Sequence, residues 1–228
     1  MTLIWNRDKK RFKIYQSREV KVQMEHYFSE SPDIKSEKRK IEYSIGGKNF
    51  EFITDNGVFS KLKVDFGTDL MLNTFLKKNP DGKFNGNKNF KILDIGCGYG
   101  VVSVIISSFY KNSCVVLSDV NERALELSRE NMENYSMGNY EVIKSEGFEK
   151  IFQKFDVILS NPPIRAGKET IFNIYEGAFE HLNENGEFFC VIQTKHGAKS
   201  TKKKLEEIFG NCETVTIEGG YRIYRSKK

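Results

Sequence analysis

From Phe90 to the C-terminus, short apolar runs alternate with helical stretches, and this alternation restricts the fold more than any other feature. KILDIG, CVVLSD, YEVIKS, FDVILSN and GEFFCVIQ read as strands, rich in β-branched and aromatic residues. Helical spacing covers residues 99–110, 121–134, 168–182 and 200–209. ETVTIE and YRIYRS, separated by Gly219-Gly220, supply two further strands. Repeated strand–helix–strand units with short connections predict an α/β fold: a doubly wound, mostly parallel, seven-stranded Rossmann-like sheet. Ligands in such sheets sit beyond the carboxyl ends of the strands, so the residues after each strand are the candidates for function.

Three segments follow from patterning. Residues 1–23 form a charged N-terminal arm without periodicity, either disordered or an upstream-start extension, and Met24 would itself make a plausible start. Residues 24–89 hold an N-terminal β-hairpin and a helix. Ile41, Tyr43 and Ile45 alternate with polar neighbours, Gly46-Gly47 supplies the turn, and Phe50 and Phe52 alternate again. The helix runs from Phe66 to Lys78 with Thr68 or Asp69 near its start, and Asn79-Pro80-Asp81-Gly82 stops it. Residues 90–228 form the main domain, reached through the Gly- and Asn-rich stretch 79–89.

Composition narrows the functional classes. No run of about 18 apolar residues is present, and basic residues follow Trp5 without an apolar stretch, so neither a membrane span nor a signal peptide is expected. Cys97, Cys114, Cys190 and Cys212 lie far apart without CxxC pairing, which predicts thiols in a reducing cytoplasm and no metal site. The net charge of +5 resides wholly in residues 1–23, which carry seven basic and two acidic residues, so the rest of the chain is balanced. Overall charge therefore gives no argument for nucleic-acid binding by the core.

The first strand of the main domain runs into Asp94-Ile95-Gly96-Cys97-Gly98-Tyr99-Gly100. Glycines there allow a sharp turn and close approach of a ligand. Val101 stands where the dinucleotide pattern G-x-G-x-x-G needs its last glycine, which counts against an NAD-dependent oxidoreductase. Asp94 would repel a pyrophosphate but suits a ligand with an ammonium group, and S-adenosylmethionine carries both an ammonium and a sulfonium. The second strand ends in Asp119-Val120, 25 residues after Asp94, where an acid can hold a ribose diol. Asp119 or Asn121 can equally serve as the next helix's N-cap, and the two roles are compatible.

The most specific feature is Ser160-Asn161-Pro162-Pro163, at the end of a buried strand. Two prolines fix φ and remove two amide donors, leaving a rigid turn whose acceptors are the Asn161 side-chain oxygen and the Pro162 carbonyl. Two acceptors can hold the N–H bonds of a planar exocyclic amine and aim its lone pair at a methyl group, so positioning carries the reaction without a histidine base. Asn161, Pro162 and Pro163 are the catalytic candidates, and His26, His181 and His196 lie outside these motifs.

DIGCGYG, SDVNERAL, SNPPIRAGK and GVFSKLKVDFGT together resemble the small-domain methyltransferases related to bacterial 16S rRNA guanine-N2 methyltransferases, from about Met24 to the C-terminus. The resemblance implies a class I methyltransferase sheet with S-adenosylmethionine as cofactor and guanine N2 in 16S ribosomal RNA as target. It places Asp94, Gly96, Cys97, Gly98 and Gly100 around the methionine part of the cofactor, with Asp119 and Val120 at the ribose. Glu146-Gly147-Phe148 would lie near the adenine, and Gly67 and Thr68, after Phe66, would close over the methionine end. Asn161 would touch both cofactor and target amine. Ile164 stands where amino-methyltransferases carry an aromatic residue, so stacking on the base is expected from Phe59. Arg165, Lys168 and Lys195 follow strands on the ligand-bearing edge and are candidates for substrate phosphate. The partner implied is ribosomal RNA or the small subunit, met by a monomer or homodimer in the cytoplasm. Another amine acceptor (protein glutamine, adenine N6 or a small molecule) and a non-catalytic RNA-binding assembly factor remain the alternatives.

Overall fold

The computed structural model describes residues 34–80, 90–163 and 167–228. The arm 1–23, Met24, His26, most of the 79–89 stretch, Ile164 and Arg165 lie outside the described residues. An antiparallel hairpin, β1 (Arg39–Ile45) and β2 (Lys48–Thr54), precedes α1 (Phe66–Lys78). The remaining elements are β3 (Lys91–Ile95), α2 (Val101–Phe109), β4 (Cys114–Asp119), α3 (Glu122–Asn134), β5 (Tyr140–Lys144) and β6 (Phe155–Ser160). They continue through α4 (Lys168–His181), β7 (Leu182–Gln193), α5 (Ala198–Phe209), β8 (Glu213–Glu218) and β9 (Tyr221–Lys227).

The seven-stranded sheet has the order β5-β4-β3-β6-β7-β9-β8. β3 pairs in parallel with β4 and β6, β4 with β5, and β6 with β7, while β9 runs antiparallel to both β7 and β8. This is the doubly wound Rossmann-like sheet expected from the alternation, with the N-terminal hairpin added. The period of two along each strand divides the core between the faces. Ile92, Val115, Leu117, Leu159 and Phe189 point to one face, covered by α1, α2, α3 and the hairpin. Leu93, Val116, Ile158, Phe188 and Tyr224 point to the other, covered by α4 and α5. The hairpin and α1 thus share one continuous core with the sheet, across the boundary expected near residue 89.

Several ends shift from the sequence reading for local reasons. α2 begins at Val101, because Gly100 holds φ 88° in the left-handed region. α1 keeps the expected bounds, with Thr68 and Asp69 in its first turn, and its cap is Asp65, whose carboxylate accepts from Gly67 N at 2.9 Å and Thr68 N at 3.2 Å. β7 begins at Leu182, with a register irregularity against β6 that absorbs Asn183–Gly186 before GEFFCVIQ pairs regularly. Among the described residues no helix is long and apolar enough to cross a membrane.

Candidate active site

β3, β4, β6 and β7 all end on one side of the sheet, and their carboxyl ends open into a cleft of about 1420 Å³. Asp94 lines it from β3 but is only 3% exposed, and accepts from Ser103 Oγ at 2.7 Å. Burial pushes its carboxyl up to about 7; the Ser103 hydrogen bond opposes that shift and the charge of Asp119 adds to it. Gly96 and Gly98 follow at positive φ, with nothing within 4 Å of an added Cβ. Both line the cleft, so side chains there would project into ligand space. Cys97 lies between them, buried, its thiol pushed well up by desolvation and therefore not a nucleophile.

Asp119 ends β4 and ties the loop to the next helix. One carboxylate oxygen accepts from Gly98 N and the other from Asn121 N, both at 2.9 Å. Burial raises its carboxyl above the ordinary range, and these backbone donors oppose the shift. The cap of α3 is Asn121, which accepts from Ala124 N, so Asp119 is not the capping residue at this corner. A carboxylate has lone pairs beyond these bonds, and Asp119 lines the cleft beside Val120. Glu146, Gly147 and Phe148 line the cleft after β5, and the Phe148 ring stacks on His181 with centroids 4.6 Å apart. An added Cβ on Gly177 would stand 2.3 Å from that ring, so α4 approaches this closely only with glycine there.

Asn161, Pro162 and Pro163 line the cleft after β6. The Asn161 amide is oriented by α1: Nδ2 donates to Thr68 Oγ1 at 2.9 Å and to Asp65 Oδ2 at 3.2 Å. With both amide protons engaged, Oδ1 is the free acceptor. Asp65 therefore caps α1 and aims Asn161 through the same oxygen. The sequence reading passed over it, although an Asp directly before a helical Phe-Gly-Thr is an N-cap signal.

The remaining sequence candidates separate. Thr68 and half-exposed Phe59 line the cleft. Gly67 and Gly100 are packing glycines instead: an added Cβ would stand 3.0 Å from the Tyr221 ring or 3.1 Å from Ser128 Cβ, respectively. Lys168 is exposed at the start of α4, its Nζ 5.1 Å from the Phe172 ring centroid, and Lys195 is exposed in a short 3-10 turn after β7. Neither is part of the cleft lining, whereas His196, which lies outside the sequence motifs, is. Glu176 and Glu180 line the cleft from one face of α4 at helical spacing.

Among the described residues the lining holds seven carboxylates, at Asp65, Asp94, Asp119, Glu146, Glu149, Glu176 and Glu180, and no Lys or Arg. Such a cleft attracts cations and repels a pyrophosphate. The methyltransferase small domain model matches residues 49–225, which takes in every residue that lines the cleft. The chain belongs to the methyltransferase small domain family.

Relatives of this methyltransferase agree with that placement. YbxB of Bacillus subtilis (strain 168), an uncharacterised protein, is 42% identical over 206 residues, 90% of this chain and 98% of its own length. Ribosomal RNA small subunit methyltransferase C of Enterobacter sp. (strain 638) is 33% identical over 199 residues, 86% of this chain and 54% of its own. The T. thermophilus 16S rRNA N2 methyltransferase in complex with AdoMet and guanosine superposes with a TM-score of 0.76 at 24% identity, over 86% of this chain and 52% of that one. The chain thus spans about half the length of the ribosomal RNA methyltransferases it matches.

Proposed function

We propose that this S-adenosylmethionine-dependent methyltransferase transfers its methyl group to an exocyclic amino nitrogen, guanine N2 of small-subunit ribosomal RNA. The cleft suits the cofactor on its own chemistry. Gly96, Gly98 and Gly147 leave open the space that Cβ atoms would fill, and the acidic lining matches the ammonium and sulfonium charges. In this reading Asp94 holds the ammonium, the free lone pairs of Asp119 take the ribose hydroxyls, and the Glu146–Phe148 end takes the adenine. When bound, S-adenosylmethionine supplies an electrophilic methyl on a good leaving group.

The observation that carries the reading is the fixed amide of Asn161. Its protons are committed to Thr68 and Asp65, so Oδ1 faces the substrate as an acceptor and cannot turn to offer a donor. With the Pro162 carbonyl it holds two N–H bonds of an amine and directs the nitrogen lone pair, which is catalysis by positioning. The amine's surplus proton leaves to solvent, so no buried base is required. Guanine N2 and ribosomal RNA rest on the names of the relatives, which are similar over 86% of this chain. A base within a helix would have to be flipped into the cleft.

The test follows labelled methyl groups into small ribosomal subunits, with nucleoside analysis of the digested RNA. Label in N2-methylguanosine is the expected result. Intact cofactor binding with no label in RNA would sink the RNA reading and direct the search to protein or small-molecule amines.

A further inference from the structure

The cleft contains a polar pair that neither the cofactor residues nor the Asn161 turn uses. Gln193 ends β7 and Tyr221 begins β9, and antiparallel pairing sets them directly opposite each other. Gln193 Nε2 donates to the Tyr221 hydroxyl oxygen at 2.5 Å, and both residues line the cleft. The Tyr221 ring packs on Phe66 with centroids 5.4 Å apart, and lies 3.0 Å from where a Cβ on Gly67 would stand. The next residue of α1, Thr68, accepts from the Asn161 amide. Tyr221 and Asn161 thus touch adjacent residues in the first turn of one helix.

The contact between the pair leaves two functions facing the cleft. Gln193 Oε1 is an acceptor without a partner among the described residues, and the Tyr221 hydroxyl, having accepted from Nε2, still has its own proton to donate. One acceptor and one donor are what guanine's N1–H and O6 require. The edge beside the reacting amine decides which base is matched. Guanine N2 is flanked by a donor, N1–H. Adenine N6 is flanked by two acceptors, N1 and N7, and cytosine N4 by the N3 acceptor. Only guanine can satisfy Gln193 Oε1 while its amine sits at Asn161, and an acceptor that a bound base covers without pairing is the strong form of discrimination.

We propose that Gln193 and Tyr221 read the Watson–Crick edge of the target base and make this enzyme select guanine, an inference that rests on amine methylation at Asn161. The pair holds the base by its hydrogen-bonding edge, which gives a base-specific contact where Ile164 supplies no aromatic ring.

The test uses RNA carrying the mapped target position either as guanine or as 2,6-diaminopurine, which keeps the N2 amine but replaces N1–H by an acceptor and O6 by an amino group. Wild-type enzyme is expected to favour guanine by about tenfold or more in kcat/KM. Gln193→Leu and Tyr221→Phe are each expected to lower the guanine value by about tenfold while leaving diaminopurine within about threefold, so that the preference collapses. An equal fall on both bases would assign the pair to packing and overturn the inference, as would unchanged guanine rates in both variants. If wild-type enzyme binds S-adenosylmethionine but never labels guanine N2, the functional reading fails first and takes this inference with it.

Discussion

Asn161 takes its chemical meaning from the two side chains that hold its nitrogen. An asparagine free to flip could present donor or acceptor; this one presents only Oδ1. Asn161→Ala is expected to lower kcat for methyl transfer by about 100-fold or more, the loss typical of a group aimed at the reacting atoms. Cofactor affinity measured by calorimetry should stay within about threefold, and retained turnover would remove Asn161 from the reaction. Asp94 makes a second, pH-dependent expectation. Its carboxyl is pushed up to about 7 by burial, so the folded chain keeps a proton that the unfolded chain releases in the ordinary carboxylate range. The stability this contributes is present at low pH and is lost as pH rises toward about 7. Binding a ligand cation runs the other way, because it needs the ionised form. Affinity for S-adenosylmethionine is therefore expected to rise by up to about tenfold per unit between pH 5.5 and 7, with release of a proton on binding. Asp94→Asn should bind weakly with no such slope, and a flat wild-type profile would show that Asp94 is not the ammonium's partner.

At the scale of elements, α1 joins the N-terminal region to the reactive turn. Asp65 caps it and holds Asn161, so Asp65→Ala removes two interactions with different consequences. Loss of the cap should cost about 1 kcal/mol, read as a fall of about 2–4 °C in Tm. Freeing the Asn161 amide should lower kcat by more than that stability change explains, about tenfold or above, as expected for a misplaced positioning group. Asp65→Asn, which keeps an acceptor oxygen at the cap, should recover most of the Tm; a Tm loss with unchanged kcat would leave Asp65 only its structural role. The sequence made the strands and helices legible because hydrophobic period and glycine placement are local. KILDIG, CVVLSD and ETVTIE ended within a residue of the observed strands. What it could not show were contacts made by topology: Asp65 with Asn161 lies across 96 residues, and Gln193 meets Tyr221 only because β9 turns back along β7. The basic residues after the strands read as substrate contacts from position alone; Lys195 and Lys168 are exposed and outside the lining, which holds His196 and carboxylates instead.

Across the whole molecule, a buried side chain ties the hairpin to the sheet. Asn131 of α3 is fully buried; its Oδ1 accepts from Ile53 N, and its Nδ2 donates to Ile53 O and Tyr99 O at 2.8–2.9 Å. One amide thus satisfies β2 on one side and the glycine loop on the other. Phe50 and Phe52 of the hairpin add rings against Tyr135 and Tyr99, inside the core that also holds Ile92 and Leu117. A lone hairpin has no stability of its own in water, so its order depends on this docking. Asn131→Ala would strip partners from three backbone groups, at about 1–3 kcal/mol for each one left dry. The expected outcome is a large fall in Tm with a single unfolding transition, in which hairpin amides exchange hydrogen together with those of β3 and β4. If the hairpin amides exchanged freely while the sheet kept its protection, the hairpin would be a separable appendage. The cleft would then owe Phe59, Ser60 and Asp65, which follow the hairpin directly, to α1 alone. A shared transition instead means that the cofactor loop, the Asn161 turn and the segment after the hairpin form and dissolve together, so the site exists only when the whole core does.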